Sequence, residues 1–161
     1  VDDNVLTSRV PSTVSDLSGF GSIPFRGVQL AQSAIDGARY TVSSNDLKKS
    51  ADYAQPSAKS ELQLTARVLS SESSIWQNAE YMGNCTAGYV EDVARGDVCL
   101  IGLYDEDGTC HLNVALEHSW TGWRAGEINT RFNGYRHGYE NTPEEARVIG
   151  DALAELLNKT D

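Results

Sequence analysis

The sequence lacks any apolar run approaching the ~18 residues that read as a membrane span, and its N-terminus lacks the basic-then-apolar order of a signal peptide. We therefore expect a protein of the cytoplasm, without a membrane segment. Its 161 residues, of which 40% are hydrophobic and 22% charged, have the usage of an ordinary globular domain. One domain over residues 29–161 is predicted.

Cysteine and histidine are scarce, with three of each. The cysteines are Cys85, Cys99 and Cys110. They have neither the spacing of a zinc site nor that of a disulfide framework, which favours a reducing compartment. His111 and His118 would lie on opposite faces of a strand, so no metal site is predicted. No glycine-rich phosphate loop is present either, and we expect no cofactor.

Basic residues are also few. The formal charge is −10, from 23 acidic and 13 basic residues. Direct binding to nucleic acid is disfavoured, because the protein's own field would repel a phosphate backbone. The acidity serves solubility, or it provides a surface that mimics nucleic acid or docks on a basic partner.

The N-terminal residues 1–28 show neither a sustained helical nor a sustained strand periodicity of apolar residues, and glycine and proline interrupt them. Their apolar residues are numerous for a simple linker, so this irregular arm is expected to lie along the domain or along a partner. A partly ordered tail is the alternative.

The N-terminal half of the domain is predicted to be mainly helical. A weak helical pattern at residues 30–35 ends at Gly37, and a short strand follows at 39–42. Ser44 starts a polar helix, and Pro56 opens another that contains the helically spaced Leu62, Ala66 and Leu69.

Two short helices are predicted around Cys85. The first, over residues 75–82, is capped by Gly83, and the second starts on Thr86 as N-cap and ends at Gly96. Cys85 therefore lies between two helix ends.

A β-hairpin is predicted from residues 98–104 and 110–118, with a turn at 105–108, and a third strand from 123–129. Its register keeps Cys99 away from Cys110, opposite either Leu116 or Val114, so both thiols should be free and buried. The last helix has Thr142 as N-cap and Glu145 at the capping-box position. The predicted fold class is α+β: a helical N-terminal half packed on a small antiparallel sheet, a hairpin plus a third strand, closed by a C-terminal helix.

Cys85 is the candidate nucleophile, since a position near a helix N-terminus favours the thiolate. A thiol enzyme also needs a base and an orienting group. The only histidines are His111, His118 and His137. Possible partners are Glu117, Glu127, Asn129 and Asn133. A buried structural cysteine in a helix-helix corner is the alternative.

A second candidate site is an aromatic and basic segment after the hairpin. Its candidate binding residues are Trp120, Trp123, Arg124, Arg131, Tyr135, Arg136 and His137. These residue types anchor protein interfaces and also stack on bases. Alternatively, the tryptophans complete the core and the arginines pair with carboxylates.

The order of landmarks over residues 82–133 resembles the PcfJ-like domain family of conjugative and other mobile elements. The matching features are Met82-Gly83-Asn84-Cys85, Tyr89, Arg95-Gly96, the apolar strand 98–104, Leu116-Glu117, and Glu127 with Asn133 six positions later. The family pattern has histidine where this chain has Asn84, and glutamine where it has Glu127. The resemblance implies a mobile-element setting, in a bacterial host cell.

Two functions follow as hypotheses. The first is an accessory protein of a phage or conjugative element that acts by binding another protein, in an inhibitory or host-interaction role, through the arm and the 120–139 segment. The alternative is a cysteine-dependent enzyme of the amidase or acyl-transfer type, with Cys85 as nucleophile.

Overall fold

The computed structural model describes residues 22–48, 60–134 and 142–160. In chain order the elements are α1 (Val28–Ile35), β1 (Arg39–Ser43), α2 (Ser44–Lys48), β2 (Glu61–Val68), α3 (Glu72–Met82), a 3-10 helix (Cys85–Tyr89), α4 (Val90–Arg95), β3 (Val98–Tyr104), β4 (Cys110–Ser119), β5 (Gly122–Asn129) and α5 (Glu144–Asn158). The predicted arm falls outside these ranges up to residue 21, and so do Tyr135, Arg136 and His137.

The five strands form one curled antiparallel sheet in the order β1-β2-β3-β4-β5. The predicted architecture was therefore wrong. The sheet is larger than a hairpin plus a third strand, because the N-terminal half contributes β1 and β2, and the helices are not gathered in an N-terminal half. The fold remains α+β.

The helix predicted after Pro56 is replaced by β2 over its described part. Leu62, Leu64, Ala66 and Val68 are buried in strict alternation with more exposed neighbours. Leu62 and Ala66 are four apart, a spacing that suits one face of a helix and one face of a strand equally. The alternation of the intervening residues decides for the strand.

The β3–β4 hairpin is confirmed. Cys99 lies opposite Leu116, and Cys99 and Cys110 are free and buried. The connection is a loop at 105–109 in which Asp105 Oδ1 accepts the backbone N–H groups of Asp107 and Thr109, at 2.8 and 3.0 Å. Next to this loop the register shifts by one residue, so that Leu103 pairs with Leu112 and Tyr104 with Cys110.

The inner face of the sheet, which carries Cys99, Ile101 and Leu103 of β3, packs against α1 and α5 to form the main core. The C-terminal helix is confirmed, but its predicted cap is wrong. Thr142 Oγ1 has no hydrogen-bond partner among the described residues, and Glu145 Oε1 instead accepts the backbone N–H of Ser43 at 3.0 Å. This carboxylate thus joins α5 to β1.

The outer face is covered over β3 and β4 by α3, the 3-10 helix and α4. The smaller core there is formed by Leu69, Ile75, Val93, Val98, Leu100 and Ala115. Helix α3 starts with a capping box: Ser74 N–H donates to Ser71 Oγ at 3.2 Å, and Ser71 N–H donates to Ser74 Oγ at 3.0 Å. On β2, the outer-face residues Gln63 and Arg67 are exposed.

Candidate functional site

The candidate site is built around the end of α3. Gly83 follows the helix at φ 60°, a left-handed conformation that glycine adopts readily, and its N–H donates to Ala79 O at 2.8 Å. Asn84 is extended, and its Oδ1 accepts both the backbone N–H of Thr86 and the Thr86 hydroxyl, at 3.2 and 2.8 Å. Asn84, not the predicted Thr86, therefore caps the next helix.

The turn after β5 folds back onto the end of α3. Phe132 N–H donates to Met82 O at 2.8 Å, and Arg131 Nε donates to Tyr81 O at 3.2 Å. These bonds satisfy two of the last carbonyls of α3, which have no partner within the helix. Asn133 Oδ1 accepts the backbone N–H of Cys85 at 3.1 Å. The turn thus holds both helix ends in one place, which we call the Gly83 corner (residues 83–89 and 130–134).

The backbone of this turn is strained. Phe132 and Asn133 are both left-handed, at φ 59° and 56°. A bulky residue rarely adopts this conformation, and such strain is most often found at functional sites. The Phe132 ring lies directly over Gly83, where a Cβ would come within 2.7 Å of two ring carbons. Glycine is therefore required at position 83 for the ring as well as for the backbone.

Two carboxylates of the outer face lie beside the 3-10 helix. The Tyr89 hydroxyl donates to Glu127 Oε1 at 2.6 Å. Glu117 accepts from Arg124 at 3.3 Å and lies over Gly126, where a Cβ would be 2.5 Å from Glu117 Oε2. Burial, the hydrogen bond to Glu127 and the charges of both carboxylates raise the pKa of Tyr89. Tyr89 therefore remains a neutral donor at physiological pH.

The Cys85 side chain is exposed, so the expectation of a buried cysteine here was wrong. Partial desolvation and the negative charge of Glu127 raise the pKa of the Cys85 thiol above its usual value. The thiol is thus mostly protonated at neutral pH, whereas a catalytic cysteine requires the thiolate.

The two described histidines are occupied elsewhere. His111 is buried, and its Nε2 lies 2.8 Å from Asp105 Oδ2. His118 stacks on Trp123 with 4.5 Å between the ring centroids. His137, the third histidine, lies outside the described residues. Within the described ranges no group of three His, Cys, Asp or Glu side chains is placed to hold a metal ion.

The four predicted catalytic residues, Cys85, Glu117, Glu127 and Asn133, do come together at or beside the Gly83 corner. Sequence reasoning missed Tyr89 as the hydrogen-bond partner of Glu127, because it fitted the apolar stripe of a helix. It also missed Asn113, whose Oδ1 accepts from Asn84 Nδ2 at 2.9 Å. An amide side chain in the middle of a predicted strand was the available signal.

The predicted binding segment is divided between the two ends of β5. At one end, Trp120 is 96% exposed in the β4–β5 turn, and Trp123 is half-buried against the core. Arg124 is exposed beside Glu117. At the other end is Arg131, about 25 Å away at the usual rise of a strand.

Arg131 belongs to a cluster that we call the aromatic–arginine patch: Tyr81, Arg131 and Phe132. The guanidinium of Arg131 lies 4.8 Å from the centroid of the Tyr81 ring and 5.2 Å from that of Phe132. Tyr81 is 41% exposed and Phe132 49% exposed. The cation therefore stacks against two aromatic rings that remain accessible to solvent.

No protein-family model, no curated protein and no solved structure matches this chain. No helix among the described residues has both the length and the apolar character needed to cross a membrane. The geometry of the Gly83 corner and of the patch beside it therefore carries the functional proposal.

Proposed function

We propose that this chain is an accessory protein of a phage or conjugative element that acts in the bacterial cytoplasm by binding another protein. The resemblance of residues 82–133 to the PcfJ-like domain supports the setting. The aromatic–arginine patch supports the mode of action and is the proposed contact surface.

The observation that carries this proposal is the stacking of Arg131 against the exposed rings of Tyr81 and Phe132. Arginine and tyrosine are among the residues most enriched at the energetic centres of protein interfaces. The backbone and Arg131 are held by hydrogen bonds to Tyr81 O and Met82 O. A partner would therefore meet a largely ordered surface, which lowers the entropic cost of association.

A cysteine-dependent enzyme of the amidase or acyl-transfer type is the second candidate. The exposure of Cys85 beside Glu127 and Asn133 favours it. Three features disfavour it: the raised pKa of the thiol, the engagement of Glu127 by Tyr89, and the absence of a histidine from this corner among the described residues. Protein binding is thus the better supported function.

Quantitative affinity capture from a bacterial lysate tests the proposal. The wild type is compared with two double variants, Tyr81→Ala/Arg131→Ala in the patch and Trp120→Ala/Arg124→Ala at the other end of β5. Each removes one exposed aromatic ring and one arginine, so the pair is matched in chemistry. Far-UV circular dichroism checks that each variant is folded.

The expected result is a partner that the wild type and Trp120→Ala/Arg124→Ala capture and that Tyr81→Ala/Arg131→Ala loses. Loss in the Trp120→Ala/Arg124→Ala variant alone would move the contact surface to the β4–β5 turn. If the wild type enriches no protein above the level of the patch variant, the patch is not a binding surface.

A further inference from the structure

The outer face of β1, β2 and β3 contains a polar hollow of about 510 Å³. The Gly83 corner lies instead next to the end of β5, at the opposite edge of the sheet. Arg39 of β1, Gln63, Thr65 and Arg67 of β2, and Tyr104 of β3 line it. Its volume is within the range of small-molecule sites in proteins. Asp105, Glu106 and Gly108 complete the lining.

The strand register places the two arginines side by side. Arg39 pairs with Thr65, and Arg67 is two positions further along β2, so all three project from the same face. Diagonal neighbours of this kind have Cβ atoms about 7–8 Å apart or slightly less. Both guanidinium groups can therefore reach one anion in the hollow.

Neither arginine has a carboxylate partner among the described residues. The ion pairs there involve Arg95, Arg124 and His111. The carboxyl of Asp105 is occupied by His111 and by two backbone N–H groups. Asp36 and Arg67 attract each other electrostatically but form no ion pair. The Oδ1 of Asp36 accepts the backbone N–H of Val68 at 2.7 Å.

This lack of pairing is informative in a chain with 23 acidic and 13 basic residues. Carboxylates are abundant, yet these two neighbouring, exposed arginines form no ion pair among the described residues. Arginine presents a rigid fork of N–H groups that matches the oxygens of phosphate.

Tyr104 fixes the position of Arg67. The ring of Tyr104 lies over Gly102, the β3 residue that pairs with Arg67, and a Cβ at Gly102 would come within 2.7 Å of the ring. The Tyr104 hydroxyl accepts from Asn78 Nδ2 at 3.2 Å, which holds the ring against α3. Arg67 packs over this ring at 5.6 Å from its centroid. One wall of the hollow is thus ordered before any ligand arrives.

We propose that this hollow binds a small phosphate-bearing ligand, with Arg39 and Arg67 as the groups that contact the phosphate. The Thr65 hydroxyl and the Gln63 amide supply further donors on the same face. The source of the phosphate is either a free phosphate ion or an organic monoester, which the same two arginines would recognise.

Titration of the whole chain at low ionic strength tests this site, with binding followed by calorimetry and by NMR chemical shifts. The probes are inorganic phosphate, phenyl phosphate and adenosine monophosphate, with succinate as a dianion that lacks phosphate. Arg39→Gln/Arg67→Gln is compared with Arg95→Gln/Arg124→Gln, which removes the same two charges elsewhere. All four side chains are exposed, so the fold should be retained, as circular dichroism will check.

The expected result is saturable binding of at least one phosphate probe that Arg39→Gln/Arg67→Gln weakens by at least about tenfold. The control variant should stay within about twofold of the wild type, since the charges it removes are screened by water and salt. Tighter binding of an organic monoester than of inorganic phosphate assigns the ester as ligand, and the reverse assigns the free ion.

Three results would overturn the proposal. The first is the absence of binding by all three phosphate probes. The second is an equal loss of affinity in both double variants, which indicates a general charge effect. The third is succinate binding as tight as that of the best phosphate probe, which would show that the hollow does not prefer phosphate to a carboxylate dianion.

Discussion

The inner face of the sheet is covered by α1 and α5, whereas the outer face is covered only over β3 and β4 and bears the polar groups of interest. The buried inner-face positions of β2, β3 and β4 are aliphatic residues or Cys99. The outer face carries the carboxylates Glu117 and Glu127, the hydrogen-bonded Asn113, and the two neighbouring arginines of β1 and β2. One face supplies most of the burial, and the other supplies the chemistry.

The largest expected contrast between the faces is in stability. Leu64→Ala on the inner face should lower the free energy of unfolding by about 2–5 kcal/mol, because the side chain is fully buried and leaves a cavity. Gln63→Ala, the neighbouring exposed position, should change it by no more than about 0.5 kcal/mol. Urea unfolding measures both. Similar losses in the two variants would remove the distinction between the faces.

The Gly83 corner should also be sensitive to substitution. Gly96→Ala should cost about 1–2 kcal/mol, since Gly96 has φ 84° but open space around it. Gly83→Ala should cost about 1–3 kcal/mol more, because the added methyl also displaces the Phe132 ring. Urea unfolding of the two variants provides the comparison. Equal costs would show that the ring moves aside freely and that the corner is not tightly packed.

Tyr89 should make a pH-dependent contribution to stability from the outer face. Its folded pKa is raised above the usual value of 10.0. The extra stability of the neutral hydroxyl is therefore present below pH 10 and is lost as the pH rises above it, because the unfolded tyrosine ionises first. Tyr89→Phe should cost about 1 kcal/mol at pH 7 through the lost hydrogen bond to Glu127.

This difference between wild type and Tyr89→Phe should shrink above pH 10. Unfolding curves collected across that range measure it, and the other tyrosines and cysteines cancel because both proteins contain them. A difference that stays constant to high pH would mean that Tyr89 has no raised pKa in the folded state.

The smallest expected difference between the two faces is in the alkylation rates of the cysteine thiols. Burial raises the pKa of Cys99 on the inner face to about 12, and that of Cys110 to about 11, so neither should be alkylated before unfolding. Cys85 should react in the folded protein, but more slowly at pH 8 than a free cysteine. Mass spectrometry of the alkylated peptides gives each rate.

Glu127→Gln should speed the alkylation of Cys85 roughly threefold at pH 8, because it removes a nearby negative charge. Glu155→Gln on α5 is the matched control and should leave the rate unchanged. A wild-type Cys85 that reacts rapidly at pH 7 would reverse this picture and favour the enzyme alternative.

Much of the inner face could be predicted from the sequence, because hydrophobic alternation and turn residues act locally. The hairpin of β3 and β4 follows from them, and they limited the partner of Cys99 to Leu116 or Val114, of which the structure has Leu116. Helix α3 likewise ends at its predicted Gly83. A helix was predicted in place of β2 because the spacing of Leu62 and Ala66 fits both the helical and the strand period.

The candidate site could be predicted only in part. Glu127 and Asn133 were selected by residue type and by resemblance, but their contacts join residues far apart in the chain. Asn133 accepts from Cys85, 48 positions away, and Tyr89 donates to Glu127 across 38 positions. No local pattern encodes such pairs, and Glu145 shows the same limit, since it bonds β1 rather than its own helix end.

The order of the strands in the sheet is the same as their order in the chain. Each strand therefore pairs with the one before it in the chain, and β3–β4 and β4–β5 are joined by short turns, whereas three helical segments lie between β2 and β3. The short connections of β3–β4 and β4–β5 lower the loop-closure entropy that slows the folding of β-rich proteins. Helix α5, which packs across β5 and reaches α1, is the element that must wait for the others. We expect its docking to be the late step of folding.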